Sequence, residues 1–114
     1  MSNNNETSRA LTKEQLDEIV RRLVEAISPQ RIILFGSHAY GTSGPDSDID
    51  VYIVTADDAP DRFELSRKGY AALRDIPLPI ELHFCRQRTF DRYATVVGSF
   101  QREVKQRGRV VYAA

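Results

Sequence analysis

Asp46, Asp48 and Asp50 fall within the five residues "DSDID", directly ahead of the apolar run "VYIV". Neighbouring carboxylates repel one another and resist desolvation, so this cluster beside a strand-forming run is unfavourable unless a cation lies between them. Asp48 and Asp50 stand two residues apart. In a strand that spacing sends both side chains to one face while Ile49, Val51 and Ile53 leave the other. With the apolar row buried, the two carboxylates are held on the exposed side and can share divalent cations. Magnesium takes a few carboxylate oxygens and completes its shell with water and substrate phosphate, and this partial oxygen set suits it. Glu81, on the polar face of a later strand-like run, adds a third carboxylate if that strand neighbours the second.

The stretch upstream supplies the complementary half of such a site. Gly36 ends the run "RIILFG" just before Ser37, and a residue without a Cβ lets a phosphate approach the backbone amides. Ser37 adds a hydroxyl donor. Gly41 and Gly44 permit the loop to turn, and Ser47 can bond locally and fix the approach to Asp48. Phosphate held by loop donors and bridged through metals to carboxylates is what metal-assisted phosphoryl or nucleotidyl transfer requires. Two look-alikes fail. Asp46, Asp48 and Asp50 imitate the first ligands of an EF-hand calcium loop, but Val51 sits where that loop needs its turning glycine. "GSHAYGT" has the glycine spacing of a P-loop, but Thr42 occupies the place of the essential lysine.

The elements that must position these residues can be read from periodicity. Residues 1 to 10 are polar and aperiodic and are expected to form a flexible tail, leaving 11 to 114 as a single domain. Thr12 opens a capping box with Gln15, and Leu16, Ile19, Val20, Leu23 and Ile27 recur at helical spacing. "RIILFG" predicts a first strand, and Ser37 to Ser47 a loop with one helical turn after Ser37. A second strand is expected over Asp48 to Thr55, then a helix from Pro60 to about Asp75, weakened by Gly69. "PLPIELHFC" predicts a third strand with Ile80, Leu82 and Phe84 on one face and Glu81, His83 and Cys85 on the other. Two short helices, Thr89 to Val97 and Ser99 to Arg107, flank Gly98, and "RVVY" closes the sheet. The sum is an α/β (α+β) fold, a small mixed sheet packed with helices.

Composition bounds the function classes. Hydrophobic residues are 41% and charged residues 28% of the chain, typical of a soluble globular domain. No apolar run approaches the roughly 20 residues that span a bilayer, and "MSNNNETSR" has no signal-peptide core, so no membrane association and a cytoplasmic location are expected. Cys85 is the only cysteine, which excludes an intrachain disulfide or a cysteine-based zinc cluster and suggests a reduced, half-buried thiol. Sixteen Lys and Arg balance sixteen Asp and Glu, arguing against non-specific nucleic-acid binding. The charges are segregated, acidic over 46 to 64 and basic over 86 to 109, a pattern that fits either a metal and an anionic partner or ordinary solvated helix faces.

Several other residues carry two readings. His38 either contacts phosphate from the loop or is simply exposed, and His83 either flanks the site or is structural. Tyr40 and Tyr52 either stack on a base or pack against the sheet. Asp46 reads as a loop cap rather than a ligand. Phe63, Tyr70 and Leu73 are expected in the core.

Gly36-Ser37, ten intervening residues and Asp48-Ile49-Asp50 together resemble the defining motif of the DNA polymerase beta-like nucleotidyltransferase superfamily, with Gly41 and Ser47 also matching its smaller members. The length, the leading helix and the ending "REVKQRGRVVY" look like the minimal nucleotidyltransferases, the MNT group, often paired in prokaryotes with HEPN-domain toxins. The resemblance spans roughly residues 12 to 112. It implies the polymerase beta palm-like fold, Gly36 and Ser37 on a nucleoside triphosphate, and Asp48 and Asp50 holding two magnesium ions that align the α-phosphate. The family's third carboxylate, usually an aspartate, corresponds to Glu81, whose extra methylene either alters the metal geometry or makes it the base for an acceptor hydroxyl. The expected activity is transfer of AMP from ATP to an acceptor hydroxyl, with a HEPN-type toxin as acceptor and this chain as antitoxin. A chain this short has little room for an acceptor-binding domain, so a partner or a homodimer is expected to complete the site. Alternatives are a non-catalytic antitoxin that occludes its partner and an aminoglycoside-type adenylyltransferase acting on small alcohols.

Overall fold

A computed structural model describes residues 11–40 and 47–114. The expected tail and the loop positions Gly41, Gly44 and Asp46 lie outside the described residues. Helix α1, Lys13–Ile27, starts with the anticipated capping box: Gln15 N–H donates to Thr12 Oγ1 and Thr12 N–H to Gln15 Oε1, each at 3.0 Å. It ends at Ser28, whose φ of 47° lies in the left-handed region. Strand β1, Arg31–Phe35, is followed by a single helical turn α2, Ser37–Tyr40, and by β2, Ile49–Thr55. Helix α3, Arg62–Ala72, is capped by the Asp61 carboxylate, which accepts from Glu64 N–H at 2.9 Å. Strand β3 is Ile80–Arg86, α4 Gln87–Tyr93, α5 Phe100–Arg107 and β4 Arg109–Ala113.

The four strands form one mixed sheet in the order β3-β2-β1-β4. β1 runs antiparallel to both β2 and β4, while β2 and β3 are parallel. This is the small α/β sheet packed with helices that the residue pattern predicts. Among the described residues no helix is long and apolar enough to cross a membrane.

Apolar side chains are buried on both faces of the sheet. Ile32, Leu34, Ile49, Val51 and Ile53 pack against α1 through Ile19, Leu23 and Ile27 and against α3 through Leu65 and Leu73. Ile33, Phe35, Tyr52 and Val54, on the opposite face, pack against Phe90 and Ala94 of the α4 region and Val104 of α5. The face expected to be exposed is therefore covered along most of its length. The end where β2 begins carries carboxylates, while at the opposite end the Arg31 guanidinium lies over the Phe90 ring at 5.6 Å.

Helix α3 differs from its expected packing. Phe63 is 79% exposed and Tyr70 also faces solvent, whereas Leu65, Gly69 and Leu73 are buried. These three recur every fourth residue and form one stripe. Gly69 belongs to it because α3 lies so near β3 that a Cβ there would come 2.8 Å from Leu82 Cδ1. The helix is also shorter than expected, closing at Leu73, whose N–H donates to Tyr70 O. Helix α4 starts two residues early and ends at Tyr93, before the break at Gly98, where φ is 87°.

Candidate active site

The antiparallel pairing of β1 with β2 sets Phe35 opposite Asp50, and the parallel pairing of β2 with β3 sets Asp50 opposite Glu81. The next same-face position on β3 is His83. Carboxylate oxygens of Asp50 and Glu81 and a ring nitrogen of His83 all lie within 4.8 Å of one another. His83 Nε2 stands 3.7 Å from Asp50 Oδ1 and 3.9 Å from Glu81 Oε2, too far for hydrogen bonds. The side chains of Asp50 and His83 are about three-quarters covered, while Glu81 is open to solvent.

Electrostatics mark the same place. Partial burial raises the Asp50 carboxyl above the ordinary aspartate value, and the negative charges of Glu81 and Asp48 raise it further, with His83 offsetting part of the effect. His83 Nε2 is buried and has no hydrogen-bond partner among the described residues. The ring around it is fixed by aromatic contacts, edge-on to Phe35 at 5.2 Å and to Phe100 at 5.7 Å, and parallel to Tyr52 at 6.5 Å. A carboxylate with a raised pKa and an imidazole nitrogen without a hydrogen-bond partner among the described residues, facing one another, fit a bound cation.

Asp48 lies one residue ahead of β2, exposed, and is not in the three-residue group, although its charge reaches Asp50. Gly36 and Ser37 stand at the other side of the site. Gly36 has φ of 79°, and a Cβ on it would lie 2.6 Å from Asp50 Oδ2. The glycine thus packs directly on the aspartate, and Ser37 follows at the start of α2 with its Gly36 carbonyl accepting from Ala39 N–H. Across the loop from α2, His38 Nε2 donates to Ser47 O at 3.2 Å. His38 therefore ties the two ends of the loop together.

The remaining segregated charge is partly structural. Asp57 accepts from Arg88 N–H at 2.9 Å through its carboxylate and from the Arg86 guanidinium through its carbonyl, Asp61 caps α3, and Glu64 pairs with Lys68 at 3.2 Å. Tyr52 is buried among the aromatic rings, and burial pushes its phenol upward in pKa. Cys85 is a half-buried free thiol. A cleft of about 720 Å³ adjoins His83, lined by Arg62, Phe63, Ser66, Phe100 and Gln101. These lining residues come from α3 and α5, far apart in the sequence, and no local spacing signals their convergence.

The sequence of residues 13–109 matches the family described as "Nucleotidyltransferase domain". Among curated proteins none matches. Of solved structures, a crystal structure of a toxin-antitoxin with AMP-PNP is similar over 86% of this chain and 73% of that one, at 24% identity and a TM-score of 0.53, a likeness of fold. With the family match covering nearly the whole described chain, from α1 to the first residue of β4, this chain belongs to the nucleotidyltransferase domain family.

Proposed function

We propose that this chain is a magnesium-dependent nucleotidyltransferase that moves AMP from ATP to an acceptor hydroxyl on a toxin partner of the HEPN type, acting as its antitoxin. The observation that carries this reading is the convergence of Gly36, Asp50 and Glu81, Glu81 set opposite Asp50 by strand pairing and the Gly36 turn packed on the Asp50 carboxylate. Asp50 and Glu81, with Asp48 beside them, would hold the magnesium. The metal, when bound, supplies positive charge against the triphosphate. The Gly36 turn leaves room for a phosphate to approach backbone amides, and Ser37 offers a hydroxyl donor. In the transfer the acceptor oxygen bonds to the α-phosphorus, the bond from that phosphorus to the β-phosphate oxygen breaks, and pyrophosphate leaves. Glu81, exposed at the site's rim, takes the acceptor's proton. The AMP-PNP of the structural neighbour supports an adenine nucleotide, and its toxin-antitoxin assembly supports a toxin acceptor.

A second reading, an antitoxin that occludes its partner without chemistry, is favoured by one feature: Asp48 stands outside the group formed by Asp50 and Glu81. α-Phosphate-labelled ATP incubated with this chain and a HEPN-type toxin separates the two. Transfer is expected to label the toxin and to vanish in the Asp48→Asn, Asp50→Asn double variant. An unlabelled toxin that both proteins still neutralise would leave occlusion as the function.

A further inference from the structure

His83 is not needed to explain a site built from carboxylates, yet it stands in the same cluster. Its ring is held on three sides by Phe35, Tyr52 and Phe100, and its Nε2 is buried without a hydrogen-bond partner among the described residues. That nitrogen faces two carboxylates at 3.7 and 3.9 Å. Donors that each stand about 2.1 Å from one ion are at most about 4.2 Å apart, so both His83 distances fit ligands of a shared cation, and a rotation of the exposed Glu81 side chain brings all three donors, which lie within 4.8 Å of one another, inside that limit. The two His83 distances do not fit hydrogen bonds.

We infer that His83 is a direct metal ligand, and that Asp50, Glu81 and His83 form a mixed oxygen and nitrogen site that selects manganese(II) over magnesium. The inference rests on the preceding reading of Asp50 and Glu81 as metal-holding carboxylates and adds that manganese binds this donor set more tightly than the magnesium named there. Magnesium is a hard cation that favours all-oxygen shells and parts reluctantly with its water. Imidazole nitrogen suits first-row transition metals, and manganese is the member of that row that shares magnesium's preference for carboxylate and water. A nitrogen already oriented and buried costs little further ordering on binding.

The test uses the full nucleotide-free chain loaded with manganese(II) or magnesium alone. Pulsed electron paramagnetic resonance of the manganese-loaded wild type is expected to show coupling to a coordinated imidazole nitrogen. Calorimetry is expected to show that His83→Gln weakens manganese binding by about tenfold or more while changing magnesium binding by less than about twofold. Manganese bound with no nitrogen coupling in the wild type would overturn the inference without any variant having to fold. An unchanged manganese-to-magnesium ratio in His83→Gln would overturn it too. Asp50→Asn separates this from the underlying reading: if that variant binds both ions as well as wild type, the carboxylate site itself is wrong, whereas loss of both ions there beside an unchanged His83→Gln sinks the histidine alone.

Discussion

Gly36 and Asp50 touch: the backbone of Gly36, at a φ of 79°, lies where any side chain would run into Asp50 Oδ2, 2.6 Å from the position of a Cβ. Neither residue can change without disturbing the other. A Gly36→Ala variant must hold alanine in the left-handed region, at a cost of about 1–2 kcal/mol, and must also push the aspartate aside. Urea unfolding is expected to show that loss together with a weakened response to divalent cations. A variant as stable as wild type that binds metal equally well would mean the turn and the carboxylate are not coupled.

Asp50 itself is predicted to be a liability to the empty fold. Its raised pKa means that the native site holds a proton more tightly than the unfolded chain does. This group's contribution to stability therefore falls as pH rises from the ordinary aspartate value of about 3.9 to the raised native one, and stays unfavourable above it. Asp50→Asn removes that contribution. At neutral pH in chelator its Tm is expected to exceed wild type by a few degrees, with the order reversed when a divalent cation is added. A lower Tm in chelator would show that the carboxylate is satisfied without metal.

What could be read from the residues, and what could not, divides along local against non-local information. The Thr12 and Gln15 cap and the burial of Ile49, Val51 and Ile53 together on one face are short-range and emerge as expected. So does the polar parity of Glu81 with His83. The pairing of Asp50 with Glu81 depends on β2 and β3 running parallel as neighbours across an intervening helix, which no local spacing states. Burial of Tyr52 and Val54 follows from α4 and α5 folding back over the second face, again a long-range event. In α3 the glycine conceals the buried stripe: Leu65, Gly69 and Leu73 make it, while aromatic Phe63 and Tyr70 draw the eye to a face that is exposed. Glycine carries no hydrophobic signal, although its lack of a Cβ is what lets the helix approach Leu82.

Gly108 provides a control for fold against site. It joins α5 to β4 at a φ of −76°, which any residue adopts, but a Cβ there would meet Ile33 Cγ2 and the Val104 carbonyl oxygen, both at 2.5 Å. The carbonyl belongs to backbone and cannot yield. Gly108→Ala is expected to cost about 1–3 kcal/mol through overpacking. Metal affinity of the folded fraction should remain that of wild type, because Asp50, Glu81 and His83 lie on β2 and β3. Lost affinity at full folding would mean that β4 communicates with the site.

Tyr70 links stability to the site by a different route. β3 is an edge strand, and the Leu82 N–H donates to Tyr70 Oη at 2.9 Å. The phenol thus satisfies a backbone group that the sheet leaves unpaired and covers the edge against strand addition. Tyr70→Phe keeps the ring and deletes the acceptor, so about 1 kcal/mol of stability should be lost and the Leu82 amide should exchange faster with solvent. Leu82 sits between Glu81 and His83 in the chain, so loosening it spreads the two flanking groups over more orientations. Metal affinity is expected to fall as well, although no ligand has been removed. Faster exchange at Leu82 with unchanged metal affinity would show that strand pairing to β2 alone holds Glu81 and His83 in place.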